Sequence, residues 1–158
     1  MAEIDTDLEL VLQQKNALLS YENLPVVNAN PILMHQLFYN LINNALKFSR
    51  PDVRPLIQLG ASKATEDDVK FSALDPNQVF YKIAVTDNGI GFPQEQAQRI
   101  FGTFTRLHAK DKFEGTGLGL ALCKKIVERH HGAIYAKSAE GQGATFVILL
   151  PAVSLAAV

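Results

Sequence analysis

Apolar positions along the chain recur with two different periods, and the switches between them mark the elements. The pattern predicts a short helix near 5–13 and a strand over Ala17-Leu18-Leu19-Ser20-Tyr21-Glu22. Pro31, a favoured first helical residue, opens a long helix that runs to Phe48, where Ser49, Arg50 and Pro51 stop it. Strand-like runs follow at 55–63 and 77–87, joined by the polar stretch 63–76, which is long for a hairpin loop and reads as an exposed connector. A short helix from Pro93 to Phe101 leads into 102–117, which is polar, glycine-studded and too long for a plain connection, the pattern of a mobile lid. A helix over 118–131 is closed by Gly132, and two last strands flank Gly141-Gln142-Gly143. Helices that follow strands on an antiparallel-rich sheet predict the α+β class, as a two-layer α/β sandwich.

Composition narrows the partners. A chain of 158 residues with 47% hydrophobic content is one domain with a real core. A formal net charge of -1 with mixed signs offers no broad basic face, so nucleic acid and anionic membrane are poor partners, and any anion needs a local site. Cys123 is the one cysteine, so no internal disulfide forms and a buried structural thiol in a reducing compartment is expected. No stretch approaches the roughly 18 to 20 apolar residues of a membrane span, and the acidic start lacks the order of a signal peptide. These features predict a cytoplasmic chain with no direct membrane contact.

Three stretches carry candidate chemistry. Asp87-Asn88-Gly89-Ile90-Gly91-Phe92 places a carboxylate at a strand end beside backbone kept bare by glycine, an arrangement open to close approach of a ligand. On the long helix, Gln36, Asn44 and Lys47 all fall within roughly 40° of Asn40 around the axis, opposite an apolar stripe of Met34, Phe38, Leu41, Ile42, Ala45 and Phe48. Such an amide face is either a ligand surface or a solvated one. Glu114-Gly115-Thr116-Gly117-Leu118-Gly119-Leu120 opens a helix with alternating glycines, which is either a flexible hinge or a phosphate cradle at a helix start. Its spacing is neither a dinucleotide fingerprint nor a P-loop.

Together these stretches resemble the boxes of sensor histidine kinases: NLINNALKFS the N box, DNGIGF the G1 box, IFGTFTRL the F box and EGTGLGL the G2 box. The resemblance covers nearly the whole chain and implies a Bergerat-type catalytic and ATP-binding domain, of the superfamily that also holds gyrase and MutL, with an ATP lid at about 93–116. It implies that Asp87 accepts a hydrogen bond from the exocyclic amine of adenine and that Gly89 and Gly91 let the backbone pass close to the base. It implies Asn44 as the Mg²⁺ ligand, Lys47 and Arg106 as balancing phosphate charge, and Gly115, Thr116, Gly117, Leu118 and Gly119 as wrapping the phosphates. Asn40 and Thr145 complete the implied site.

The implied cofactors are ATP and Mg²⁺. The implied partners are the dimerisation and histidine phosphotransfer domain of a parent kinase and a response regulator receiver domain. The departures are equally informative, since no His-Glu or His-Asp phosphoacceptor motif occurs, and His35 points about 140° away from Asn40. His130 and His131 read as groups at a helix C-terminus, and His108 falls in the lid. Hydrolysing members of the superfamily carry a glutamate general base where this chain has Asn40, whose amide lacks the basicity for that role. A regulatory nucleotide-binding module and a serine kinase of the anti-sigma-factor type are the alternatives.

Overall fold

The computed structural model describes residues 1–102 and 119–152. Their elements run α1 (Ala2–Asp7), α2 (Glu9–Gln14), β1 (Leu18–Tyr21), α3 (Pro31–Lys47), β2 (Leu56–Lys63), α4 (Glu66–Phe71), β3 (Phe80–Asp87), α5 (Gly119–Arg129), β4 (Ala133–Ser138) and β5 (Ala144–Pro151). The strands form one sheet in the order β1-β2-β3-β5-β4, parallel between β1 and β2 and antiparallel elsewhere. The expected mixed, largely antiparallel α+β sheet is present.

Period-two alternation divides the sheet into two faces. Ile83 and Val85 of β3, with Ala144, Phe146, Ile148 and Leu150 of β5, point into the main core beneath α3 and α5. Phe80, Val147 and Leu149 point the other way into a second, smaller core. That second core is covered by α4, so the stretch expected to be an exposed connector is in part a packed helix. Three consecutive acidic residues hide its signal, because they make the segment read as polar while serving the first turn. Thr65 caps α4 by accepting from the Asp68 N–H, and the Asp68 carboxylate accepts in return from the Thr65 N–H at 2.9 Å. The Thr65 amide, aided by Lys82 at 3.3 Å, holds the Asp68 carboxyl below its ordinary range despite burial. Val69 then drops into the second core.

The long helix starts as its sequence requires. Asn30 accepts from the Ile32 and Leu33 N–H groups, and Pro31 occupies the first turn where no donor is needed. Its buried stripe is Leu37, Leu41, Ile42, Ala45 and Leu46, with Met34 and Phe38 half-buried at the border. The stripe is turned toward Leu37 and Leu46 relative to expectation because α5 covers the Leu37 side.

Other boundaries shift for local reasons. The first helix divides at Leu8 into α1 and α2, with Ile4, Leu8 and Leu12 all buried. The expected helix over 93–101 is two single 3-10 turns, Gln94–Gln96 and Arg99–Phe101. The helix expected over 118–131 ends at Arg129, and its C-terminus is closed by His131 rather than Gly132. His131 adopts φ 62° and donates to the Glu128 carbonyl, while Gly132 donates to the Val127 carbonyl at 3.0 Å, the paired bonds of a Schellman closure. Gly132 is needed for another reason, since a Cβ there would overlap the Leu149 carbonyl oxygen.

Candidate functional site

The turn after β3 is built by contacts from three sides. From α3, the Phe48 carbonyl accepts the Ile90 N–H at 2.9 Å, one turn beyond Asn44. From the β4–β5 connection, Gly141 donates to the Ile90 carbonyl at 2.7 Å, and Ser138 Oγ accepts the Phe92 N–H and donates to the Gly143 carbonyl. From the α3–β2 connection, Asn88 accepts the Leu56 N–H at 2.8 Å, donates to the Arg54 carbonyl, and offers its own carbonyl to Arg50 Nε at 3.0 Å.

The same setting packs the glycines. Gly89 and Gly91 are both buried, and a Cβ on Gly89 would overlap the Phe48 carbonyl while one on Gly91 would overlap that of Ala139. Gly91 also holds φ 66°. Their bareness admits the protein's own backbone. Phe92 is core, 6.4 Å from Phe146 between ring centroids.

Asp87 is the group this construction presents. Its Oδ1 accepts the Gly89 N–H at 2.8 Å and the Ala144 N–H at 3.3 Å. Among the described residues no donor reaches Oδ2. Burial pushes the Asp87 carboxyl above its ordinary value, and the two amide donors oppose that rise without cancelling it. The result is a desolvated acceptor with one oxygen committed to the frame and one without a donor among the described residues, suited to a ligand N–H donor.

Asn44 is half-buried and Lys47 exposed on the polar side of α3. Asn40 lies near Cys123 of α5, where its amide opposes the upward push of burial on the thiol. Cys123 is fully buried, bonds toward the Leu37 carbonyl at 3.7 Å, and is pushed up to about 12 by burial, so it is a structural thiol. Thr145 does not join Asp87. It pairs with Thr86 in the ladder, and the two hydroxyls lie 3.2 Å apart on the opposite face of the sheet. The residue beside the Asp87 carboxylate is instead Ala144, through its N–H. Gly119 begins α5 with open space at its Cα. Arg106, His108, Gly115, Thr116, Gly117 and Leu118 lie outside the described residues.

The sequence reading missed Asn88, Arg50 and Ser138. Each is an ordinary polar residue in sequence, and only the fold brings Arg50 and Ser138 to the turn that holds Asn88. The histidines are engaged elsewhere. His35 Nε2 meets Asp7 at 2.9 Å. His130 spans α5 and α3, its Nδ1 on the Ile126 carbonyl at 2.8 Å and its Nε2 accepting the Asn30 N–H at 3.1 Å. That pairing requires the proton on Nδ1, with Nε2 as the acceptor, and makes His130 a structural group. Among the described residues no cluster of three or more His, Cys, Asp or Glu side chains could hold a metal, and no helix is long and apolar enough to cross a membrane.

A mixed five-stranded sheet with two helices across one face and a half-committed carboxylate at a strand end is the α+β fold of histidine kinase catalytic domains. Residues 29–154 match the family described as histidine kinase-, DNA gyrase B- and HSP90-like ATPase, and the chain belongs to that family. It is 42% identical over 140 residues to cyanobacterial phytochrome A of Nostoc sp., covering 89% of this chain and 16% of that protein. It is 44% identical over 124 residues to the sensor protein kinase WalK of Staphylococcus saprophyticus, covering 77% of this chain and 18% of that one. The chain thus spans under a fifth of the length of these relatives. Its fold is similar to that of full-length ShkA in complex with AMPPNP, with TM-score 0.74 and 22% identity over 97% of this chain and 29% of that chain. It is also similar to histidine kinase ThkA in complex with the response regulator protein TrrA, with TM-score 0.67 and 23% identity over 95% of this chain and 38% of that one.

Proposed function

We propose that this chain is the catalytic domain of a two-component sensor histidine kinase, which binds Mg-ATP and transfers the γ-phosphoryl group to a histidine on a separate dimerisation domain for relay to a response regulator. The observation that carries the reading is the Asp87 carboxylate, with Oδ1 fixed by the Gly89 and Ala144 amides and Oδ2 left for an amine donor. Adenine presents such an amine, and the membership in an ATPase family supplies the nucleotide. The residues fit the nucleotide, because the acceptor is desolvated and lies beside the end of the helix that carries Asn44 and Lys47.

Bound Mg-ATP supplies the transferable phosphoryl group and the metal charge that stabilises it. Asp87 selects the base. Asn44 would hold Mg²⁺ through its amide oxygen, in keeping with a cation that takes few protein ligands. Lys47 and Arg106 balance phosphate charge, and Gly115, Thr116, Gly117, Leu118 and Gly119 hold the phosphates. Asn40, an amide, provides no base to activate water, which favours transfer to an acceptor over hydrolysis.

The described histidines are poorly placed to accept the group. His35 is paired with Asp7, His130 is locked between Ile126 and Asn30, and His131 closes a helix. Incubation with γ-labelled ATP tests the reading. The chain alone should bind nucleotide and stay unlabelled, and acid-labile label should appear on a dimerisation hairpin of a close relative added in trans. Acid-labile label on the isolated chain that vanishes in His108→Ala would overturn the separate-acceptor scheme. Acid-stable label on a serine of an added protein would favour the serine-kinase alternative.

A further inference from the structure

The Asn88–Gly89 peptide group is gripped at both ends. Its carbonyl accepts from Arg50 Nε at 3.0 Å, and its N–H donates to Asp87 Oδ1 at 2.8 Å. The chain of contacts therefore runs from a guanidinium cation, through one planar peptide, to a carboxylate. Resonance couples the two ends of a peptide, so a cation on the oxygen makes the N–H a stronger donor. The grip is directional, because a guanidinium presents its Nε–H in a fixed plane while an ammonium is a freely rotating point charge. The other side of the turn is already anchored by the Asn88 side chain, which bonds Leu56 and Arg54. Arg50 thus acts on one peptide within an otherwise fixed turn.

We propose that Arg50 is a positioning residue for base selection, which acts through the Asn88–Gly89 peptide to commit Asp87 Oδ1 to the backbone and so keep Oδ2 for the exocyclic amine of a purine. This rests on the nucleotide-binding reading above. Arg50 follows directly on α3, the helix of Asn44, so it also ties the metal end of the site to the base end. Without the guanidinium, the peptide is free to tilt and the carboxylate to rotate, and both of its oxygens become alternative acceptors.

The test compares ADP with IDP, which keeps the ribose and phosphates and carries an oxygen where adenine carries its amine. Calorimetric titrations without metal would use the wild-type chain and its Arg50→Lys and Arg50→Gln variants. Wild type should favour ADP, and both substitutions should weaken ADP by about tenfold while leaving IDP nearly unchanged, so that selectivity collapses. The Gly89 amide proton resonance in the ligand-free protein should move upfield in both variants, a readout that does not depend on nucleotide. General damage to the turn would instead weaken both nucleotides together. A folded Arg50→Lys that keeps the wild-type ADP-to-IDP ratio and the Gly89 shift overturns the role of Arg50. Wild type that binds neither nucleotide, or does not distinguish them, overturns the base-selection reading itself, and the Gly89 shift then still reports whether Arg50 holds the peptide.

Discussion

The Phe48 carbonyl and the Ile90 N–H, 2.9 Å apart, join the C-terminus of α3 to the turn that follows β3. Through that bond the helix bearing Asn44 and Lys47 and the strand bearing Asp87 form one frame. Gly89 is what allows the approach, since a side chain there would meet the Phe48 carbonyl. Displacing either element displaces the other, so Asn44 and Asp87 are set together.

Asp87→Asn should weaken binding of ADP and ATP by about 1.5 to 3 kcal/mol, because an amide can still hold the Gly89 and Ala144 donors yet presents its own N–H₂ to a base amine. The same change should stabilise the ligand-free fold at neutral pH. The Asp87 carboxyl is raised by burial, so its ionisation disfavours the folded state above the raised value, and that cost disappears as pH falls below the ordinary carboxylate range. Thermal melts should show the variant ahead of wild type near pH 7 and level with it in acid. Unchanged ADP affinity in a folded variant would remove Asp87 from the base site.

Asn44→Ala should reduce the Mg²⁺ dependence of ATP binding more than it reduces metal-free ADP binding. Asn44 is half-buried on the polar side of α3, so its loss should cost little folding stability, within about 1 kcal/mol. Titrations with and without Mg²⁺ separate the two effects, and equal losses in both would make Asn44 a plain helix-face amide.

Gly143 and Gly141 share left-handed backbones, φ 76° and 75°, but not surroundings. A Cβ at Gly143 would overlap the Asp87 carbonyl, whereas Gly141 has nothing within 4 Å. Gly141→Ala should therefore cost about 1 to 2 kcal/mol, the conformational penalty alone. Gly143→Ala should cost about 3 kcal/mol or more and impair nucleotide binding, since it displaces the Asp87 turn. Denaturant melts of the two variants measure the difference.

His131 holds the left-handed closing position of α5 at φ 62°, which glycine adopts without strain. His131→Gly should stabilise the fold by about 1 kcal/mol. Gly132→Ala should destabilise it, because the new methyl group meets the Leu149 carbonyl. The opposite signs of two adjacent substitutions would be read directly from chemical melts.

Much of the fold was legible in sequence where local physics is strong. Pro31 announces the start of α3, and the strand-like runs of β3 and β5 announce buried strands. Helix α4 was not legible, because Val69 is the one apolar residue among its first five and the surface that buries it comes from β3 and β5. In the site, Asp87 stood out as a carboxylate at a strand end. The roles of Gly89 and Gly91 did not, because a bare backbone looks the same whether the neighbour is a ligand or Phe48.

The sequence by itself determined the strands, the two long helices and the kinds of side chain available, since periodicity, capping and glycine placement act within a few residues. Tertiary structure decided which atoms meet. The register of β3 on β5 sends Thr145 to the far face and brings the Ala144 amide to Asp87, and the return of the α3–β2 connection sets Arg50 against Asn88. Those contacts join residues 38 and 57 positions apart, and no local preference of either partner encodes them.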